Sequence, residues 1–191
     1  MRVIAGIHGG RRIDAPPGQT TRPTSDRVRE ALFSRIEALL GHIPAAPVLD
    51  LFAGSGALGI EALSRGALHA TFVERDRAAL ATLRSNLDRL DLASRASVLP
   101  GNVADRVKRG VTVTGPCALL FLDPPYRIDK SEVRRLVERL VEGESLLEGA
   151  LVVWEHSSSD DVEWPEAFTD LGSRRYGDTT VSMARLKGGA E

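Results

Sequence analysis

Asp50-Leu51-Phe52-Ala53-Gly54-Ser55-Gly56-Ala57-Leu58-Gly59 is the stretch on which the fold turns. Just before it, Val48-Leu49-Asp50-Leu51 is a short apolar run suited to a buried strand, and from Ala57 the spacing becomes helical. The glycines between them permit a tight turn and let the backbone approach a ligand at a helix N-terminus. Much further along, an apolar run, Cys117-Ala118-Leu119-Leu120-Phe121-Leu122, ends in Asp123-Pro124-Pro125-Tyr126.

Outward from the glycine turn, strand and helix alternate. Helices are predicted over 57–65, 77–90, 103–109 and 131–141, and strands over 48–51, 69–74, 96–99, 117–122 and 150–155. Near-continuous apolar strands separated by helices predict a parallel sheet covered on both faces. Two more strands, 167–171 and 179–185, are joined by 172–178, a connection short enough for an antiparallel pair at one edge. Upstream, residues 2–14 read as a β-hairpin around a glycine-rich turn at 6–10. A loop follows, then a helix capped by Thr24 or Ser25. Val28, Leu32, Ile36 and Leu39 are its apolar stripe and Gly41 its end. Arg27, Arg29 and Arg35 are placed off that stripe, facing solvent or nucleic acid. The expected division is a hairpin arm over residues 1–23 and a single α/β domain over 24–191.

Gly54-Ser55-Gly56-Ala57-Leu58-Gly59 fits the dinucleotide pattern G-x-G-x-x-G, so a nicotinamide cofactor has to be weighed. Asp50 argues for S-adenosylmethionine instead: a carboxylate there suits an ammonium group and repels a pyrophosphate. The hairpin and helix ahead of the fingerprint strand point the same way. Asp50, Phe52, Gly54, Gly56 and Gly59 are therefore the candidate cofactor-binding residues of this loop. Glu74, ending the next strand, can accept hydrogen bonds from a ribose diol. Asn102 follows the third strand, where its amide oxygen can accept from an adenine amino group.

Asp123-Pro124-Pro125-Tyr126 carries the chemistry. The two prolines hold an extended, rigid turn. An aryl amine is a poor nucleophile because its lone pair is delocalised into the ring. Acceptors from Asp123 and the Pro124 carbonyl can bind both amine hydrogens and turn the lone pair toward a methyl donor. Tyr126 offers a face for stacking the base. The ordered pair of loops thus implies methyl transfer to an exocyclic nitrogen of a flipped or unpaired base.

The formal net charge of the 191-residue chain is −1, which by itself does not mark a nucleic-acid binder. Its distribution does. Residues 1–35 hold seven arginines against Asp14, Asp26 and Glu30, a local +4, whereas the remainder has 18 basic and 23 acidic residues, or −5. Arg11, Arg12, Arg22, Thr24 and Arg27 are the candidate RNA-binding residues, since loop-borne polar and cationic groups contact phosphate. Cys117 is the single cysteine; it allows no intramolecular disulfide and reads as a core side chain. His8, His42, His69 and His156 lack metal-ligand spacing, so no metal is expected. No apolar run nears the roughly 20 residues of a membrane span, and the first residues lack a signal-peptide core. A cytoplasmic monomer is expected.

Four stretches give the chain a family resemblance that runs over nearly its whole length. They are Met1-Arg2-Val3-Ile4-Ala5-Gly6, the segment from Arg22-Pro23-Thr24 to Phe33, Asp50 to Ala62, and Asp123-Pro124-Pro125-Tyr126. In these it resembles the bacterial small-subunit rRNA guanine-N2 methyltransferases that modify guanine 966 of 16S rRNA. The last motif is shared with other N-methyltransferases, including DNA adenine enzymes; the Arg22 to Phe33 segment discriminates. The resemblance implies a Rossmann-like class I methyltransferase fold, a seven-stranded, mostly parallel sheet whose last strand is antiparallel. It implies S-adenosylmethionine contacts at Asp50, Gly54, Glu74 and Asn102, and catalysis at Asp123, Pro124, Pro125 and Tyr126. The implied partner is 16S rRNA in the small subunit or an assembly intermediate. An adenine-N6 DNA or rRNA methyltransferase and a non-catalytic rRNA-binding assembly factor remain alternatives. A nicotinamide oxidoreductase ranks last, for want of a hydride-transfer acid.

Overall fold

The computed structural model describes residues 1–17, 26–125 and 127–188. Arg22, Thr24, Ser25 and Tyr126 therefore lie outside the described residues. The chain runs α1 (Asp26–Leu40), β1 (Pro47–Leu51), α2 (Ala57–Ser64), β2 (His69–Glu74), α3 (Arg77–Arg89), a 3-10 turn (Ala93–Arg95) and β3 (Ala96–Pro100). It continues through α4 (Val103–Lys108), β4 (Cys117–Leu122), α5 (Lys130–Glu142), β5 (Leu146–Ser157), β6 (Phe168–Tyr176) and β7 (Thr179–Leu186). Seven strands form one sheet in the order β3-β2-β1-β4-β5-β7-β6. β1 to β5 pair in parallel, and β7 runs antiparallel to both β5 and β6. This is the Rossmann-like class I arrangement expected. The chain winds outward from β1 to β3 and then returns to β4, so the strand order reverses between β1 and β4. A crevice opens at the carboxyl ends of strands at such a reversal.

Side-chain alternation along the central strands divides the interior into two layers. Val48, Leu119 and Phe121 face the layer built with α1, α2 and α3, where Phe33 and Phe121 lie 5.7 Å apart between ring centroids. Leu49, Leu51, Leu120 and Leu122 face the layer closed by α4 and α5 through Val103, Val133 and Val137. Cys117 is buried and its thiol is pushed up to about 12 by burial, as befits an inert core side chain. No helix among the described residues is long and apolar enough to cross a membrane.

Three local expectations need correction. Gly172 does not start a turn. It sits at φ +80 in a register shift between Asp170 and Ser173, so β6 runs on to Tyr176 and only Gly177-Asp178 separate it from β7. The Arg35 guanidinium, expected to face solvent or nucleic acid, secures this bulge by donating to the Leu171 and Gly172 carbonyls, each at 2.8 Å. Arg29 is not off the apolar stripe either: it is fully buried, on the face it shares with Leu32, Phe33 and Ile36.

The third correction concerns the hairpin, which is minimal. A single antiparallel bridge joins Arg2 and Arg12. Val3 N–H donates to the Arg11 carbonyl and Gly10 N–H to the Val3 carbonyl, at 2.9 and 2.8 Å, and from Ile4 to His8 the backbone turns to α2 for partners. The Ile4 and Ala5 N–H groups donate to the two oxygens of Glu61, at 2.7 and 3.0 Å, and Arg65 Nε donates to the same carboxylate at 2.7 Å. Glu61 is fully buried, so its charge depends on these donors. Ser64 adds its carbonyl to Ile7 N–H at 2.9 Å and its hydroxyl to His8 N–H at 3.0 Å. Gly6 makes this approach possible: at φ +81, an added Cβ would lie 1.9 Å from the Ser64 carbonyl oxygen.

Replacing Glu61 with Ala leaves two amides without their acceptor and the Arg65 guanidinium with Glu37 alone, at a cost of about 1–3 kcal/mol for each orphaned amide. Amide exchange at Ile4 and Ala5 is expected to accelerate more than exchange in β1. Unchanged protection at those two amides would show that the arm is held by something else.

Candidate functional site

A cavity of about 980 Å³ opens at the reversal of strand order. Asp50, Phe52, Gly54, Glu74, Asn102, Asp123, Pro124 and Pro125 all line it, so the strand-end residues singled out in the sequence converge. Met1, Ala15, Pro16, Arg29, Arg127 and Glu155 line it as well, and the sequence reading assigned none of them to the site.

The loop after β1 is bent by three alternate left-handed or near-left-handed positions: Phe52 at φ 66, Gly54 at φ 55 and Gly56 at φ 80. For a residue with a Cβ, such as Phe52, this conformation costs about 1–2 kcal/mol. It is held by Ala53 N–H donating to the Val73 carbonyl at 3.0 Å and Gly56 N–H donating to the Ala53 carbonyl at 2.7 Å. The three glycines of the fingerprint then divide by task. A Cβ at Gly54 would meet nothing within 4 Å, leaving open backbone facing the cavity. A Cβ at Gly56 would lie 2.3 Å from Leu83 Cδ1, and one at Gly59 would lie 2.4 Å from Phe72 Cε1. Gly56 and Gly59 therefore serve the packing of α2 on β2 and α3 and do not line the cavity.

Acidic groups dominate the polar lining. Asp50 is 2% exposed and accepts from Gly59 N–H at 2.9 Å. Burial pushes its carboxyl up to about 8; the Gly59 N–H works against that shift and the Glu74 charge adds to it. Glu74 accepts from Gly54 N–H at 2.8 Å with one oxygen and from the Arg75 and Asp76 N–H groups, at 2.7 and 2.8 Å, with the other. The carboxylate expected to meet a ligand diol is thus also the brace of the glycine loop. Asn102 likewise has a second duty: its amide oxygen caps α4, accepting from Ala104 N–H at 2.8 Å.

Asp123 sits just beyond β4. The surrounding protein, then the Glu155 and Asp50 charges, push its carboxyl well above the ordinary carboxylate range. Its own surface opens onto the cavity. The Pro125 carbonyl accepts from Ile128 N–H at 2.9 Å and closes the turn.

The arm reaches this site through Asn86. Its amide oxygen accepts from Asp14 N–H at 2.8 Å, and its amide nitrogen donates to the Asp14 carbonyl at 3.0 Å and the Ser55 carbonyl at 3.1 Å. One fully buried side chain thereby links the arm to the glycine loop. Arg11 donates to the Arg89 carbonyl and lies 3.2 Å from His8 Nδ1. Arg11, Arg12 and Arg27 are exposed outside the cavity lining. Arg29 was legible in principle, since positions 29, 32, 33 and 36 repeat at helical spacing. Glu155 had only a weak signal, an acid ending the apolar run Leu151-Val152-Val153-Trp154.

Residues 1–185 match the family described as Conserved hypothetical protein 95. The presumed rRNA methyltransferase YlbH of Bacillus subtilis strain 168 is 41% identical, over 98% of this chain and 100% of its own. The protein named ribosomal RNA small subunit methyltransferase D in Haemophilus influenzae is 35% identical, over 93% of this chain and 89% of its own. Among solved structures, the presumed methyltransferase yhhF of Escherichia coli superposes with a TM-score of 0.81 at 32% identity, covering 98% of both chains.

The division of the glycines predicts different losses. Gly59→Ala is expected to lower stability by about 1–3 kcal/mol through overpacking, and Phe72→Leu in the same chain to recover part of that. Gly54→Ala should cost only the backbone strain, about 1–2 kcal/mol, with no recovery from Phe72→Leu. Thermal unfolding of the four variants reads this; a Gly59→Ala protein as stable as the parent would contradict it.

Proposed function

Because the chain belongs to the Conserved hypothetical protein 95 family, we propose that it transfers a methyl group from S-adenosylmethionine to N2 of guanine 966 in the 16S rRNA of the small ribosomal subunit. The observation that supports this most is the single cavity shared by the glycine turn after β1 and Asp123-Pro124-Pro125 after β4.

The residues present fit the donor. Gly54 offers bare backbone with room beside it, and Asp50 and Glu74 form an acidic wall that favours a cation and disfavours a pyrophosphate. Asp50 would hold the ammonium group, Glu74 the ribose and Asn102 the adenine end. When bound, the donor supplies an electrophilic methyl carbon on a sulfonium, which leaves as a neutral thioether. Asp123 and the Pro124 carbonyl accept the two N2 hydrogens and so direct the nitrogen lone pair into the cavity. As the N–C bond forms and the C–S bond breaks, N2 must lose a proton. Asp123, ionised once positive charge lies beside it in the cavity, takes it and passes it to the open solvent side. Pro125 and Tyr126 give the base a face to stack on. Position and electrostatics carry the rate, without a covalent enzyme intermediate.

The arm supplies the RNA contacts in this reading. Arg11, Arg12, Arg22, Thr24 and Arg27 would meet phosphate. So small a basic surface favours folded RNA in a protein-bearing particle over naked 16S rRNA.

Small subunits from cells lacking the modification, incubated with the protein and labelled donor, are expected to yield N2-methylguanosine at one site. Asp123→Ala should lower kcat by about 100-fold or more, as removal of one preorganised hydrogen-bonding group does, with donor binding kept. N6-methyladenosine as the product would establish the adenine alternative. No incorporation by a protein that binds the donor would mean that the acceptor is wrong.

A further inference from the structure

A loop that holds an aryl amine does not by itself distinguish guanine from adenine or cytosine. The cavity contains a residue whose chemistry does. β4 and β5 run in parallel with Leu122 paired to Trp154, so the next residue of each, Asp123 and Glu155, stand side by side at the carboxyl edge. Both line the cavity with Pro124 and Pro125, and their charges act on each other. Glu155 is half-buried on a strand flanked by β4 and β7, where it is paired with Val181. That placement gives a fixed acceptor beside the one that holds the amine.

The Watson–Crick edge of guanine presents the N2 amino group and, next to it, the N1–H donor. Adenine presents an amino group next to N1, and cytosine an amino group next to N3; both of those ring nitrogens are acceptors. Two adjacent oxygen acceptors complement the first edge. The second of them meets a lone pair in the other two bases, and a buried acceptor facing another acceptor is penalised. We propose that the Glu155 carboxylate accepts a hydrogen bond from guanine N1–H and so makes this site selective for guanine. The inference rests on the methyl-transfer reading of the cavity and adds to it the residue that selects the base.

2-Aminopurine separates the two ideas, because it keeps the 2-amino group and lacks the N1 hydrogen. Small subunits are rebuilt with guanosine or 2-aminopurine at the target position, and kcat/KM is measured for the intact protein and for Glu155→Gln. For the intact protein, guanosine is expected to exceed 2-aminopurine by about 10- to 100-fold, in line with one well-formed base-edge contact. In Glu155→Gln, whose neutral amide oxygen is a weaker acceptor than the carboxylate, the guanosine rate should fall by about 3- to 10-fold more than the 2-aminopurine rate. Equal losses on both bases, or none on either, would overturn the role of Glu155. Should Glu155→Gln fail to fold, the comparison on the intact protein still decides: equal rates on the two bases would refute N1–H recognition. Absence of methyl transfer to guanosine with donor binding intact would instead count against the methyl-transfer reading itself.

Discussion

Four carboxyl groups converge at one edge of the sheet, and the architecture around them follows from managing their repulsion. Asp50, Glu74, Asp123 and Glu155 come from the ends of β1, β2, β4 and β5 and share a single cavity. Two solutions are visible. Glu74 is wrapped by three backbone N–H groups from the loops it braces. Asp50 and Asp123 are instead pushed toward their protonated forms. For Asp50, the ordinary value is 3.8 and the folded value about 8. The stability this group contributes is therefore complete below the ordinary value and is lost as pH rises through about 8. A ligand that brings positive charge into the crevice reverses that order, because it makes the ionised carboxylates the favoured forms.

The arm belongs to the same argument. Its backbone donors hydrogen-bond Glu61 on α2, and Asn86 on α3 joins it to the glycine loop. Arg29, buried on α1, donates to the Arg2 carbonyl and pairs with Asp26 at 3.0 Å, placing a cation and the first residues of the chain at the cavity wall. Segments distant in sequence are thus tied to the cavity by buried polar contacts, which demand complete partnering and so fix geometry.

Much of this was legible because the decisive motifs are local. A strand end, a turn and a helix start within ten residues announce themselves, and so does an acid followed by two prolines after an apolar run. The alternation of apolar strands with helices then marks the sheet as parallel. What was not legible depends on contacts between distant segments. Glu155 acquires meaning only from its register beside Asp123. Arg29 was set on the wrong face because arginines are rarely fully buried, although its helical spacing fitted the core. The hairpin looked longer than it is because nothing in residues 2–14 reveals that Glu61 takes the donors of Ile4 and Ala5. Gly172 looked like a turn because a bulge and a turn use the same residue. Asn102 was correctly placed at a strand end, but its duty as a helix cap is a local geometry that the sequence shared with other readings.

The central claim is that the acidic crevice is built for a cationic donor, and proton release tests it most directly. Calorimetric titration of the protein with S-adenosylmethionine at pH 7, in buffers of different ionisation enthalpy, should show release of at least about one proton per donor bound, because Asp50 is mostly protonated before binding and ionised after it and Asp123 shifts in the same direction. That release should shrink in Asp50→Asn. Binding whose enthalpy is independent of the buffer, or that takes up protons, would contradict the account.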